Sequence, residues 1–179
     1  AVRIHAIGDR TISLVLDCFE EGERLYGKQD LRHCIEHNET VQPEDLPRYA
    51  RLGISPAMQP WHMLLDMADL AKDAAVGPER AALSWPLHSL QASGANIHLG
   101  SDFPVVGIDP MEEVYGAVFR MLEDQSNPEG WFPAERISMA EALRAYTLGS
   151  AYAMGVDDRF GTLSAGKVAD ICVLDHNLF

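Results

Sequence analysis

Three residues stand where their side chains could meet on one ligand. His5 lies late in a short β-type run ahead of Gly8-Asp9-Arg10, His37 closes a second run after Arg32-His33-Cys34-Ile35-Glu36, and Asp102 follows a later one in Gly100-Ser101-Asp102. Two imidazoles and a carboxylate are a natural donor set for a catalytic divalent metal. Each has a plainer reading when taken singly. A strand-end histidine is more often a hydrogen-bonded structural residue than a ligand, and an aspartate after a strand is very often the N-cap of the next element. His33, His88, His98 and His176 read as structural. His62, in Gln59-Pro60-Trp61-His62, divides evenly between loop surface and substrate contact. Arg10 and Arg80 could hold an anionic substrate, although helix-surface solvation is the favoured reading of both.

The elements that must position these residues alternate strand with helix, the pattern of parallel α/β architecture, in which chemistry gathers at the C-terminal ends of strands. Strands are predicted over Val2 to Ile7, Leu31 to His37, Ile54 to Gln59 and Asn96 to Ser101. Period-2 alternation puts His33, Ile35 and His37 on one face, which lets His37 point into the mouth of the sheet with Ile35 beneath it. Ile12, Val15, Leu16 and Phe19 recur at helical spacing over Asp9 to Tyr26, before Gly27. Further helices are expected over Pro43 to Leu52, Pro86 to Ser93, Pro110 to Glu123 and Ala140 to Met154, the last opened by Ser138 with Glu141 three residues on. The long connection from Pro60 to Leu83, with a helix around Leu64 to Ala74, has the length of a lid or substrate loop. Phe160 to Asp175 suggests two short strands around a turn, in a small β-domain apart from the rest.

Composition bounds the function. Of 179 residues 47% are hydrophobic and 23% charged, ordinary globular material with one sizeable core. Acidic residues outnumber basic ones 27 to 14, for a formal charge of −13, which argues against nucleic acid and anionic membranes as partners. Cys18, Cys34 and Cys172 lie far apart and are odd in number, which reads as reduced packing thiols in a cytosolic protein. No apolar stretch approaches the roughly 20 residues that span a bilayer. The chain opens at Ala1-Val2-Arg3, already inside a predicted strand, so an upstream segment is expected.

Five ordered motifs carry a resemblance over nearly the whole chain. They are His-Ala-Ile-Gly-Asp-Arg at 5–10, Ile-Glu-His at 35–37, Met-Gln-Pro at 58–60 with His62, Gly-Ser-Asp-Phe-Pro-Val at 100–105, and Gly-Thr-Leu-Ser-Ala-Gly-Lys-Val-Ala-Asp at 161–170. In that order they resemble the amidohydrolase superfamily, and within it the amidohydrolase 3 branch that includes N-substituted formamide deformylases. The resemblance implies the C-terminal half of a TIM-type (β/α)8 barrel, strands five to eight, over residues 1–155. Residues 156–179 would be β-strands of a small β-sandwich. It implies His5 and His37 as metal ligands, Asp102 as ligand and catalytic residue, and zinc as the divalent metal. Hydrolysis of an amide or related C–N bond by metal-activated water follows, with Asp102 moving the proton and with His62 and Arg10 contacting a small-molecule amide substrate.

The family's first-strand His-X-His pair is absent, since no two histidines here are separated by one residue. Nothing matches the bridging residue of its fourth strand. Weak or empty metal binding and an inactive isolated chain are therefore expected, with the missing N-terminal half as one partner. Unpaired edges near Val2 to Ile7 and Asn96 to Ser101, and an apolar inner face, predict a homo-oligomer. Two other readings stay open: a barrel hydrolase of the deaminase or phosphotriesterase type, and a non-catalytic, self-associating fragment.

Overall fold

Four short strands pair in parallel and in chain order: β1 (Arg3–Ala6), β2 (Cys34–His37), β3 (Ser55–Met58) and β4 (His98–Leu99). The register sets Arg3 beside Cys34, Cys34 beside Ser55 and Ala57 beside His98. This computed structural model describes residues 1–68 and 71–179. The crossovers are α1 (Asp9–Tyr26), α2 (Leu46–Leu52), and then α3 (Pro60–Ala68), α4 (Ala71–Val76), α5 (Pro78–Ala81) and α6 (Leu87–Ala92). After β4 come α7 (Pro110–Phe119), α8 (Met139–Arg144) and α9 (Ser150–Ala153). The expected helix around Leu64 to Ala74 is thus divided between α3 and α4, and its residues 69–70 lie outside the described residues. No helix among the described residues is long and apolar enough to cross a membrane.

One cluster joins sheet to helices. Ile35, Met58 and Leu99 from the strands pack with Ile12, Tyr49 and Leu90 from α1, α2 and α6. That cluster fixes which way the strands face. Arg3 pairs with Glu36 at 2.9 Å and lies 3.4 Å from His98, whose Nδ1 is 3.0 Å from Ser55 Oγ. Side chains alternate along a strand, so the face away from the helices carries Arg3, Glu36, Ser55 and His98 while Ile35 faces the helices. Two expectations are corrected here. The inner face is polar rather than apolar, and Ile35 does not lie beneath His37 in the mouth.

Beyond β4, Asp109 caps α7 by accepting from Met111 N at 2.9 Å, and α7 ends at Arg120 in the left-handed region. Ser138 and Glu141 form the expected capping box of α8. The helix then passes through a π-helical turn, Ala145–Gly149, into α9 rather than running straight to Met154. A close approach accompanies the distortion: a Cβ at Gly149 would stand 2.5 Å from Ile97 O. Arg32 ties the end of this region to the start of β2, pairing with Asp157 and donating to Tyr152 O at 3.0 Å.

The tail differs from expectation. Residues 160–175 run as turns, bends and irregular backbone with no strand. Ile171 is 63% and Val173 88% exposed. A strand needs a neighbour to take its backbone hydrogen bonds, and none of the described residues supplies one here. The packing role expected of the cysteines holds for buried Cys34 and fails for Cys18 and Cys172, both exposed.

Candidate metal centre

The C-terminal ends of the strands bring the site together through left-handed backbone. His37 (φ 79°), Asn38 (φ 51°) and Asp102 (φ 56°) are all non-glycine residues with positive φ. Each such residue costs on the order of 1–3 kcal/mol and persists only where its surroundings enforce it. The turn at His37 takes its ring out of the alternation that buries Ile35.

His37, His62 and Asp102 each offer a ligand atom, and the three atoms lie within 4.8 Å of one another, close enough for one divalent ion. His37 Nδ1 and His62 Nε2 are buried and have no hydrogen-bond partner among the described residues. Buried polar atoms are nearly always satisfied, so two unpartnered ring nitrogens beside a carboxylate are a donor set that suits a divalent cation. Burial draws the His62 pKa below that of a free imidazole, against the Ser101 backbone and the charges of Asp102 and Glu39, which favour protonation. A neutral imidazole is the form that binds a metal. His5 borders the group: its ring meets that of His37 edge-on with centroids 4.4 Å apart, and the His37 and His62 rings lie 6.1 Å apart. The expected trio of His5, His37 and Asp102 therefore reaches one end of the sheet, and His62, expected as a substrate contact, enters the donor group itself. Asp102 also lines a cavity of about 410 Å³, together with Arg3, Glu36, Gln59, His98 and Ser150.

His62 owes its place to the first turn of α3. Glu113 on α7 accepts from Trp61 N at 2.9 Å, and α7 approaches so closely that a Cβ at Gly116 would stand 2.9 Å from Pro60 O. Sequence reasoning passed over Glu113. Its signal was position, because Glu113 shares a helix face with Gly116 and Ala117, and a carboxylate on a small-residue face needs a partner.

The long connection is pinned at two points beside the site. Lys72 pairs with Glu39 at 2.8 Å, and Arg80 pairs with Asp9 at 2.7 Å. Asp9 also accepts from Gln42 at 2.7 Å and from Arg10 N at 2.7 Å. Arg80 is thus engaged in an ion pair rather than simply solvated, while Arg10 lies exposed on the first turn of α1. His98, read as structural, is buried against Ser55, and burial pulls its pKa down to about 4.

The amidohydrolase family model matches residues 1–179. Protein LONG AFTER FAR-RED 3 of Arabidopsis thaliana is 38% identical over 177 residues, which are 98% of this chain and 30% of that protein. An N-substituted formamide deformylase of Arthrobacter pascens is 30% identical over 180 residues, covering 97% of this chain and 31% of the enzyme. The crystal structure of an uncharacterized metal-dependent hydrolase from Pyrococcus furiosus superposes with a TM-score of 0.80 at 31% identity, over 98% of this chain and 33% of that one. The chain spans about a third of the length of these relatives.

Proposed function

Because the chain belongs to the amidohydrolase family, we propose that it is the C-terminal, site-bearing part of a metal-dependent hydrolase that cleaves amide or related non-peptide C–N bonds. The observation that carries this reading is the donor group of His37, His62 and Asp102 with its two unpartnered ring nitrogens. The parallel sheet of four strands and the share of each relative that is matched support reading residues 1–155 as strands five to eight of a TIM-type barrel. Residues 156–179 then belong to a β-domain whose partner strands lie elsewhere.

His37, His62 and Asp102, with His5 bordering them, would hold one divalent ion, zinc by its fit to imidazole and carboxylate donors. Bound there, the ion would supply a Lewis acid for the substrate carbonyl and a water acidified towards a pKa of about 7. The chain's own groups do the rest. Asp102 accepts a proton from the attacking water and delivers it to the leaving nitrogen, so the C–O bond forms as the C–N bond breaks and the amine leaves neutral. Burial favours the neutral form of His62, in which its Nε2 can join His37 and Asp102 as a ligand. Arg10, exposed at the rim, meets the outer part of the substrate. The three unpaired cysteines support a reducing, cytosolic setting.

The amide reading is favoured over a deaminase or phosphotriesterase by the likeness to the formamide deformylase. The test adds zinc, N-formyl and N-acyl amides, cyclic amidines and phosphotriesters to the 179-residue chain and to its full reading frame, each with and without Asp102→Asn. Turnover is expected for amides, only in the longer protein, and lost with Asp102→Asn. Turnover of amidines or phosphotriesters alone would transfer the assignment to a rival class. Turnover by the 179-residue chain that Asp102→Asn abolishes would show that the ligands present here suffice.

A further inference from the structure

We propose that Asn38, with Tyr49 behind it, is the positioning residue that aims His37 at the metal centre. His37 lacks the usual means of fixing a ligand ring. A metal-binding histidine ordinarily donates its second ring N–H to a carboxylate or carbonyl, which sets its tautomer and angle. His37 Nδ1 belongs to the donor group, and neither ring nitrogen makes a hydrogen bond to protein among the described residues, so no such bond orients this ring. Its direction comes from the backbone, at φ 79°, and that backbone is held by the next residue.

Asn38 is fully buried and ties four elements together. Its N–H donates to Ala6 O of β1 at 3.1 Å. Its Nδ2 donates to Ile35 O of β2 at 2.7 Å and to Ala57 O of β3 at 3.1 Å. Its Oδ1 accepts from the hydroxyl of Tyr49, on α2, at 2.6 Å. Asparagine tolerates the left-handed region better than other non-glycine residues, and its short amide bonds nearby backbone, so one side chain both permits the turn and locks it. Tyr49 is itself fully buried, and its bond to Oδ1 fixes which end of the amide faces the two carbonyls. Loss of either partner would leave β2 paired up to Glu36 and the His37 ring free to swing.

The inference rests on the metal-centre reading for its consequence but not for its geometry, and the experiment separates the two. Asn38→Gly keeps the left-handed backbone and removes the amide. Tyr49→Phe keeps the ring and removes one donor, a milder change that protects the test against misfolding. The first readout is the His37 imidazole resonance in the metal-free chain, assigned by its loss in His37→Gln, with the His33 and His98 signals as controls. The second is cobalt(II) affinity and the visible spectrum of the cobalt form. In both variants the His37 resonance should shift and broaden while His33 and His98 stay in place. Cobalt should bind about 10- to 100-fold more weakly, with altered bands, the size of effect expected of an outer-shell partner. An unmoved His37 resonance in a folded Asn38→Gly chain would overturn the proposal, as would affinity within twofold of the parent in both variants. If the unmutated chain itself binds no cobalt, the outcome the absent His-X-His pair leads one to expect of this chain alone, the His37 resonance alone decides this proposal.

Discussion

Replacing Glu113 with glutamine should make the protein more stable at pH 7.5 and leave it nearly unchanged at pH 4.5. Glu113 is fully buried where α7 meets α3. Burial, reinforced by the charge of Glu112 and opposed by the Trp61 N–H, raises its carboxyl from 4.5 to about 7. An unfolded chain has no such environment. Between about pH 4.5 and pH 7 the unfolded chain gives up a proton that the folded chain keeps, so the folded state loses ground as pH rises through that window. Stability from this group is whole below 4.5 and lost by about 7. A displacement of that size corresponds to roughly 3 kcal/mol, a large part of the 5–15 kcal/mol typical of a domain. Glutamine has nearly the same shape, never ionises, and can still accept from Trp61 N, so it should remove the pH dependence and keep the start of α3.

Urea unfolding of both proteins at several pH values from 4.5 to 8 measures this directly, provided the urea dependence of the unfolding free energy is alike in the two. The quantity to follow is the difference between them. Carboxylates held low in the folded state, such as Asp157 by its bond to Arg32 and Glu141 by its bond to Ser138, act at lower pH and are common to both proteins. The gap should open steadily from near zero to roughly 3 kcal/mol across the window. A gap constant within about 0.5 kcal/mol between pH 4.5 and 7.5 would refute the reasoning, because it would mean that Glu113 ionises as freely when folded as when unfolded.

Arg120 is fully buried with its guanidinium on Trp131 O (2.6 Å), Trp85 O (2.9 Å) and Ser84 O (3.1 Å). Arg120→Met strands three carbonyls at about 1–3 kcal/mol each, so denaturant unfolding should show a loss of at least about 3 kcal/mol, and a loss under about 1 would contradict this account. At the metal centre, His62→Ala should weaken cobalt(II) binding more than tenfold and His5→Ala less than that, by equilibrium titration. The reverse order would make His5 the ligand and His62 its neighbour. The edges of β1 and β4, together with the apolar, exposed tail, should drive self-association, so sedimentation velocity should show a dimer growing in with concentration across the micromolar range. A single monomeric species throughout that range would count against it.

What the sequence shows about this site divides along the line between local and long-range causes. The span of α1 is legible because its periodic apolar residues and Gly27 lie within one stretch of chain, and the capping box of α8 needs only Ser138 and Glu141. The ends of β1, β2 and β4 are legible as places for His5, His37 and Asp102 for the same reason. The aim of His37 is another matter. Alternation predicts a side chain's direction only while the backbone stays extended, and at His37 it does not. The turn is enforced by Asn38, whose partners Ala6, Tyr49 and Ala57 are 11 to 32 residues away in sequence. His62 shows the same limit. Pro60 is a recognisable first helical residue, yet the segment reads as a loop because the group that secures its first turn, Glu113, lies 52 residues from Trp61. The tail carries it furthest, since apolar residues from Leu163 to Leu174 have the composition of strands and lack a neighbouring strand among the described residues. Strand formation is a property of a pair, and half of that pair cannot be read from the other half.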